Sequence, residues 1–153
     1  MRAARLSALP IDLAAGTFQD TVLDDRPLEF PRVDERLTGR PHRYSYGAAV
    51  HPGADGVDFG GLLKYDGRQG TTRLHDFGPG QAAGEGVFVP ASADAGEDEG
   101  WVLALVYDAA RDASDLVILD ATAFTAPPVA TIHLPRRVPF GFHGNWIPAA
   151  SRR

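Results

Sequence analysis

The 153-residue chain carries 15 Lys+Arg against 20 Asp+Glu, a formal net charge of −5, with 44% hydrophobic and 23% charged residues. That balance excludes a disordered tail and a collagen-like chain, and no apolar run approaches the ~20 residues of a membrane-spanning helix. The absence of cysteine removes disulfides, thiolate metal sites and cysteine nucleophiles. Any metal must therefore rest on Asp, Glu or the five histidines His42, His51, His75, His133 and His143. The chain is net acidic, has Lys64 as its sole lysine and no basic run longer than two residues. Nucleic acid is disfavoured as a partner, because phosphate neutralisation dominates that affinity. The N-terminal stretch is basic at Arg2 and Arg5, but Asp12 interrupts it and it lacks the apolar block of a secretory signal. A cytoplasmic location is expected. With 17 glycines and 12 prolines, far above the ~12% background, one all-β domain spanning 1–153 is the natural reading.

In chain order, TFQDTVL (17–23) alternates loosely and predicts a strand. The segment 24–32, DDRPLEFPR, has prolines at 27 and 31, which exclude a helix interior and a central strand, so an extended irregular segment is expected. RYSYGAAV (43–50) and VDFGGLLKY (57–65) read as strands. Asp66-Gly67 then signals a turn into a partner over 70–77. Gly78-Pro79-Gly80 is a turn and GVFVP (86–90) a short strand, while 91–100, ASADAGEDEG, is a structureless acidic surface loop. WVLALVY (101–107) and LVIL (116–119) form a hairpin, apolar at every position and so expected to be covered on both faces. VATIHL (129–134) is the last strand before Pro135. Hairpins at this spacing predict antiparallel sheets stacked as propeller blades. Two or three such blades do not close, and their end sheets would expose apolar faces.

Three stretches place an ionisable group among glycines, prolines and apolar residues: LEFPR with Glu29, GEGVFVP with Glu85, and VPFGFHGNW with His143. A buried charge there needs a partner or a metal. Local spacing leaves other readings open. Glu29 can pair with Arg32 or Arg43, Glu85 can be an exposed turn carboxylate, and His143 can be a structural imidazole. His51, His75 and His133 read as structural positions without partner spacing. No HExxH, GxSxG, GxGxxG or Walker pattern occurs. A hydrolase using Glu85 and His143 lacks a nucleophile setting.

The ordered series LEFPRVDERLTGRPHRYSY, LLKYD, HDFGPGQAAGEGVFVP, EDEGWVLALVYDAARDASDLVILDA and LPRRVPFGFHGNW resembles the C-terminal third of a carotenoid cleavage oxygenase. That family also includes the retinal pigment epithelium retinoid isomerase and stilbene-cleaving dioxygenases. The resemblance implies the last two to three blades of a seven-bladed propeller. On its axis four histidines bind Fe(II), three of them hydrogen-bonded to glutamates. By motif, His143 matches the last iron ligand, Glu85 the glutamate that orients it, and Glu29 the glutamate that orients the third histidine. The other three histidines are expected upstream of Met1, in which case Met1 is not the enzyme's own start. Where the family's usual form has proline after the glutamate, this sequence has Gly86, with little effect expected beyond local stiffness.

The implied activity is O2-dependent cleavage of a conjugated C=C bond in a carotenoid, apocarotenoid or stilbene. The implied partners are an apolar polyene or stilbene and O2. Phe142, with Phe140 and Trp146, is a candidate to line the substrate space, although core packing is expected for at least two of the three. The chain alone is expected to hold no stable iron site and to be inactive. The alternative is a non-catalytic β-rich interaction or binding module that self-associates through exposed apolar sheet faces. The reading requires Glu85 and His143 to lie within hydrogen-bonding distance, both largely buried, with Glu29 pointing into the same region.

Overall fold

The structure, a computed structural model, describes residues 4–53 and 56–149. Its strands in chain order are β1 (Arg5–Ala8), β2 (Ile11–Asp12), β3 (Thr17–Phe18), β4 (Thr21–Arg32), β5 (Tyr44–Gly53) and β6 (Gly56–Asp66). They continue with β7 (Thr71–Asp76), β8 (Gln81–Ala83), β9 (Val87–Pro90), β10 (Gly100–Asp108), β11 (Ala113–Asp120) and β12 (Ala130–His133). A 3-10 turn, Glu35–Leu37, starts at Asp34, whose carboxylate accepts from the Arg36 amide. Every pairing is antiparallel. Among the described residues, no helix is long and apolar enough to cross a membrane.

One sheet runs β1-β4-β5-β6-β7. The second runs β12-β11-β10-β8, with β9 pairing further along β10. Tyr46, Ala48 and Leu62 from the first sheet meet Phe88, Val102, Ala104, Val106, Val117 and Leu119 from the second, with Phe124 closing the layer. Burying each Val, Leu or Phe here contributes about 1.5–3 kcal/mol. Strand alternation explains the membership: on β10, Val102, Ala104 and Val106 point inward.

The opposite face of β10 is open, with Trp101 at 38% and Leu105 at 40% relative exposure, and Ile132 on β12 at 48%. Coverage on both faces, expected from the uninterrupted apolar run, is therefore met on one face only among the described residues.

Strand β4 corrects the reading of 24–32. It is an interior strand, between β1 and β5. The two prolines are tolerated because both fall at irregularities. Pro27 pairs with Arg5 where β1 slips register, and pairing with β5 starts only at Leu28. Pro31 lies in a bulge, since Glu29 pairs Ala48 but Arg32 pairs Tyr46, setting two residues against Gly47. Phe30 takes a φ of 54° there, a backbone region that aromatic residues rarely enter. Gly47 is required opposite the bulge, as a Cβ would sit 2.9 Å from Leu28 Cδ1 and 3.3 Å from the Glu29 carbonyl.

The acidic loop 91–99 is not structureless. Asp98 is buried and accepts from the Lys64 ammonium and from the Tyr46 hydroxyl at 2.8 Å, while Lys64 also donates to the Ala121 carbonyl at 2.7 Å. Glu97 accepts from the Arg43 and Tyr44 amides at 2.6 and 2.8 Å, and Arg36 donates to the Ala93 and Ala95 carbonyls, both at 3.0 Å. Burial pushes the Lys64 pKa down, with the Asp98 pair opposing it. Burial likewise raises that of Tyr46, reinforced by the Asp98 charge.

Gly86 does more than relax the backbone. A Cβ at that position would lie 3.2 Å from Val102 Cγ1 and 3.3 Å from Leu62 Cδ2, so the core would have to shift by a few tenths of an ångström to accept any side chain.

Candidate functional site

Glu85 sits in the short link between β8 and β9. That link is held to β10 by the Gly84 amide, which donates to the Leu105 carbonyl at 2.8 Å. The Glu85 side chain is only 4% exposed, and three groups satisfy its carboxylate. His143 Nδ1 lies 3.1 Å from Oε1, the Gly144 amide donates to Oε2 at 3.0 Å, and Arg32 Nη1 donates to Oε2 at 3.1 Å. A carboxylate paired with arginine only accepts, so the imidazole donates from Nδ1, and the neutral ring in this arrangement has its lone pair at Nε2.

The tail reaches Glu85 by a series of attachments. The Leu134 amide donates to the Ser114 carbonyl at 2.9 Å, and the Val138 amide to Ser114 Oγ at 3.0 Å. Phe140 then packs edge-on against Tyr107, with centroids 6.0 Å apart and the Arg137 guanidinium over both rings. Beyond the site, Asn145 Nδ2 donates to Glu35 Oε2 at 3.2 Å, and Arg32 reaches the Gly144 carbonyl at 3.1 Å. Phe30, partly buried against the inter-sheet core, meets the His143 ring edge-on at 5.7 Å, Phe142 at 6.5 Å and Phe59 at 5.8 Å.

The structure thus brings Glu85 and His143 together. It corrects the expectation that both are buried, because the His143 side chain is 71% exposed. Residues 135–149 form no strand, and no described residue covers most of the ring. Glu29 pairs with Ala48, a residue of the inter-sheet core, so its side chain is on that same face of the first sheet. Glu29 is exposed, and its carboxylate makes no hydrogen bond with the described residues. Neither arginine considered for it pairs with it: Arg43 binds Asp66 and Arg32 binds Glu85 and Glu35. Phe140, Phe142 and Trp146 are all at least half exposed, so the core packing expected for two of them does not occur.

His75 is a core imidazole, its Nδ1 3.0 Å from the Phe124 carbonyl. His133 does have a partner, Asp115 Oδ1 at 2.8 Å, while His42 and His51 are exposed. Sequence reasoning missed Arg32, Glu35 and Asn145 as members of the cluster. Arg32 and Asn145 lie inside stretches singled out for a neighbouring residue, and nothing in local spacing links them. Among the described residues, no group of three or more His, Asp or Glu side chains is placed to hold a metal ion.

Residues 1–148 match the family described as Retinal pigment epithelial membrane protein. The chain belongs to that family. Its sheets superpose on the crystal structure of cobalt-substituted Synechocystis ACO with a TM-score of 0.87 at 40% identity, covering 95% of this chain and 30% of that one. The chain is 42% identical over 136 residues to the apocarotenoid-15,15'-oxygenase of Synechocystis sp., covering 89% of this chain and 28% of that enzyme. It is 35% identical over 131 residues to the lignostilbene-alpha,beta-dioxygenase isozyme III of Sphingomonas paucimobilis, covering 80% and 27%. The chain therefore spans less than a third of the length of these curated relatives. The all-β antiparallel architecture is that of part of the family's propeller, and enzymes of the family are generally iron-dependent.

Proposed function

We propose that this chain supplies one edge of the iron site of a non-haem Fe(II) dioxygenase that cleaves a conjugated C=C bond in a carotenoid, apocarotenoid or stilbene. The observation that carries the reading is the 3.1 Å contact of His143 Nδ1 with the buried Glu85, inside a chain of this family. The residues fit a ferrous ion. A histidine ligand must be neutral and aim one lone pair, and a carboxylate on its other nitrogen fixes the tautomer, the ring orientation and the basicity of the ligand. His143 would hold the ion through Nε2, and Glu29 would orient a further histidine that this chain does not contain.

Bound ferrous iron supplies an open coordination position for O2 without an organic cofactor. This chain's own residues do three things beside it. Glu85 holds the proton at Nδ1 and keeps Nε2 free, Arg32 offsets the carboxylate's charge, and Phe30, Phe59 and Phe142 present an apolar surface beside the ring, suited to a polyene or stilbene. One imidazole is too weak a ligand set to retain Fe(II), so the isolated 153-residue chain is expected to lose the metal on dialysis.

Grafting the chain into Synechocystis apocarotenoid-15,15'-oxygenase, in place of the matching portion of that enzyme, tests the reading. The folded graft is expected to bind about one iron per chain and to cleave an apocarotenoid. A folded graft without iron would overturn the proposal.

The open apolar face of Trp101, Leu105 and Ile132 favours a second reading, that the chain acts as an interaction module that covers this face by self-association. Sedimentation velocity at micromolar concentration should then show dimers or larger species, which Leu105→Glu disperses. A single monomeric boundary for the parent chain excludes this reading.

A further inference from the structure

We propose, resting on the function inferred above, that Arg32 is a positioning residue that sets the aim of His143 without touching it. One guanidinium joins three separate parts of the chain. Nη1 donates to Glu85 Oε2 and to the Gly144 carbonyl, both at 3.1 Å. Nη2 donates to Glu35 Oε1 and, at 3.3 Å, to Asn145 Oδ1. Its side chain is 17% exposed and that of Glu85 4%, so the bond between them competes little with water, while the Glu35 and Asn145 bonds lie at the exposed end of the fork.

Two consequences follow for the imidazole. Glu85 has two oxygens, and either could accept from the ring. With Arg32 and the Gly144 amide both on Oε2, rotation of the carboxylate is blocked and Oε1 is left facing Nδ1. The second consequence concerns the backbone. Gly144 has no heavy atom within 4 Å of its Cβ direction, so packing does not hold it. Its amide is instead fixed by Glu85 and its carbonyl by Arg32, which immobilises the residue next to His143.

A planar fork with donors on two nitrogens can meet four acceptors in different directions. A lysine ammonium is a single point that can keep the charge beside Glu85 but cannot span to Gly144 and Asn145 as well. Arg32→Lys therefore separates bridging from charge. Arg32 itself is delivered by the β4 bulge, since it is the residue that re-enters the ladder opposite Tyr46.

The test uses the 15N-labelled 153-residue chain without metal, with two readouts: the imidazole nitrogen shifts of His143, which report the tautomer, and the backbone order parameters of residues 143–145. The parent chain is expected to show the Nδ1–H tautomer and order parameters near ~0.85. Arg32→Lys is expected to lower the Nδ1–H to Nε2–H ratio about fivefold, the size of one ordinary hydrogen-bond contribution, and to drop the order parameters below ~0.6. Glu35→Gln alters an exposed partner of Arg32 and should move both readouts the same way by less. It carries the test should the lysine variant not fold, as judged by the β10–β11 cross-strand amides. If folded variants leave both readouts unchanged while the parent shows Nδ1–H, the role of Arg32 is refuted and the Glu85–His143 reading stands. A parent chain with its proton on Nε2 overturns both.

Discussion

Replacing Lys64 by alanine is expected to destabilise the chain by about 3–5 kcal/mol, a fifth or more of the ~5–15 kcal/mol that holds a domain together. Lys64 and Asp98 are both buried, and the ammonium also satisfies the Ala121 carbonyl. Among the described residues, removing it leaves Asp98 with the Tyr46 hydroxyl and takes one of several anchors from the loop 91–99. The loss is dominated by the orphaned carboxylate rather than by the ion pair's net contribution, since desolvating two charges consumes most of their attraction. The double variant Lys64→Met, Asp98→Asn separates these effects. Methionine keeps the apolar stem, and asparagine still accepts from Tyr46. Asparagine also tolerates the φ of 86° at position 98 better than most residues. Urea denaturation should show the single variant with a midpoint far below the parent and the double variant recovering most of the difference. A double variant no better than Lys64→Ala would mean that the pair itself, not the unpaired charge, provides the stability.

This cluster shows where local sequence is silent. The strands β5, β6, β7, β10, β11 and β12 are legible because short apolar runs, the Asp66-Gly67 turn and Pro135 after the last of them are local signals. The loop 91–99 carries no period, and the significance of Asp98 rests on a lysine 34 positions away. Strand β4 was misjudged for a related reason. Proline is costly in a regular ladder, yet register slips on both sides let Pro27 and Pro31 sit where no bond is required, and a slip is a property of two strands at once.

The site divides along the same line. Glu85 and His143 are 58 positions apart, and only the resemblance of their stretches to a family joined them. Arg32, Glu35 and Asn145 lie inside the quoted stretches, but their partners belong to other segments, so local spacing does not mark them. Burial of His143 was inferred from its apolar neighbours, but Phe142 and Trp146 are themselves exposed on the tail. An apolar flank marks a buried residue only where something packs over it.

The second large effect is expected at the metal edge and is measured in the graft onto the Synechocystis enzyme. On the proposed function, His143→Ala removes a ligand outright. If ~10–16 kcal/mol of metal binding is shared over four ligands, the loss is about 3 kcal/mol, or at least a hundredfold in affinity, and turnover falls with it. Glu85→Ala leaves the ligand but frees its Nδ1, releases the Gly144 amide and unpairs Arg32. Loss of a residue that orients a ligand typically costs 10–100-fold in metal affinity, so the variant should bind iron weakly yet recover occupancy when iron is raised, which His143→Ala should not. Iron titration with cleavage assayed at each point distinguishes the two behaviours. Equal, full iron occupancy in both variants would show that His143 is not a ligand, since no role for Glu85 through that ring survives when the ring itself is dispensable.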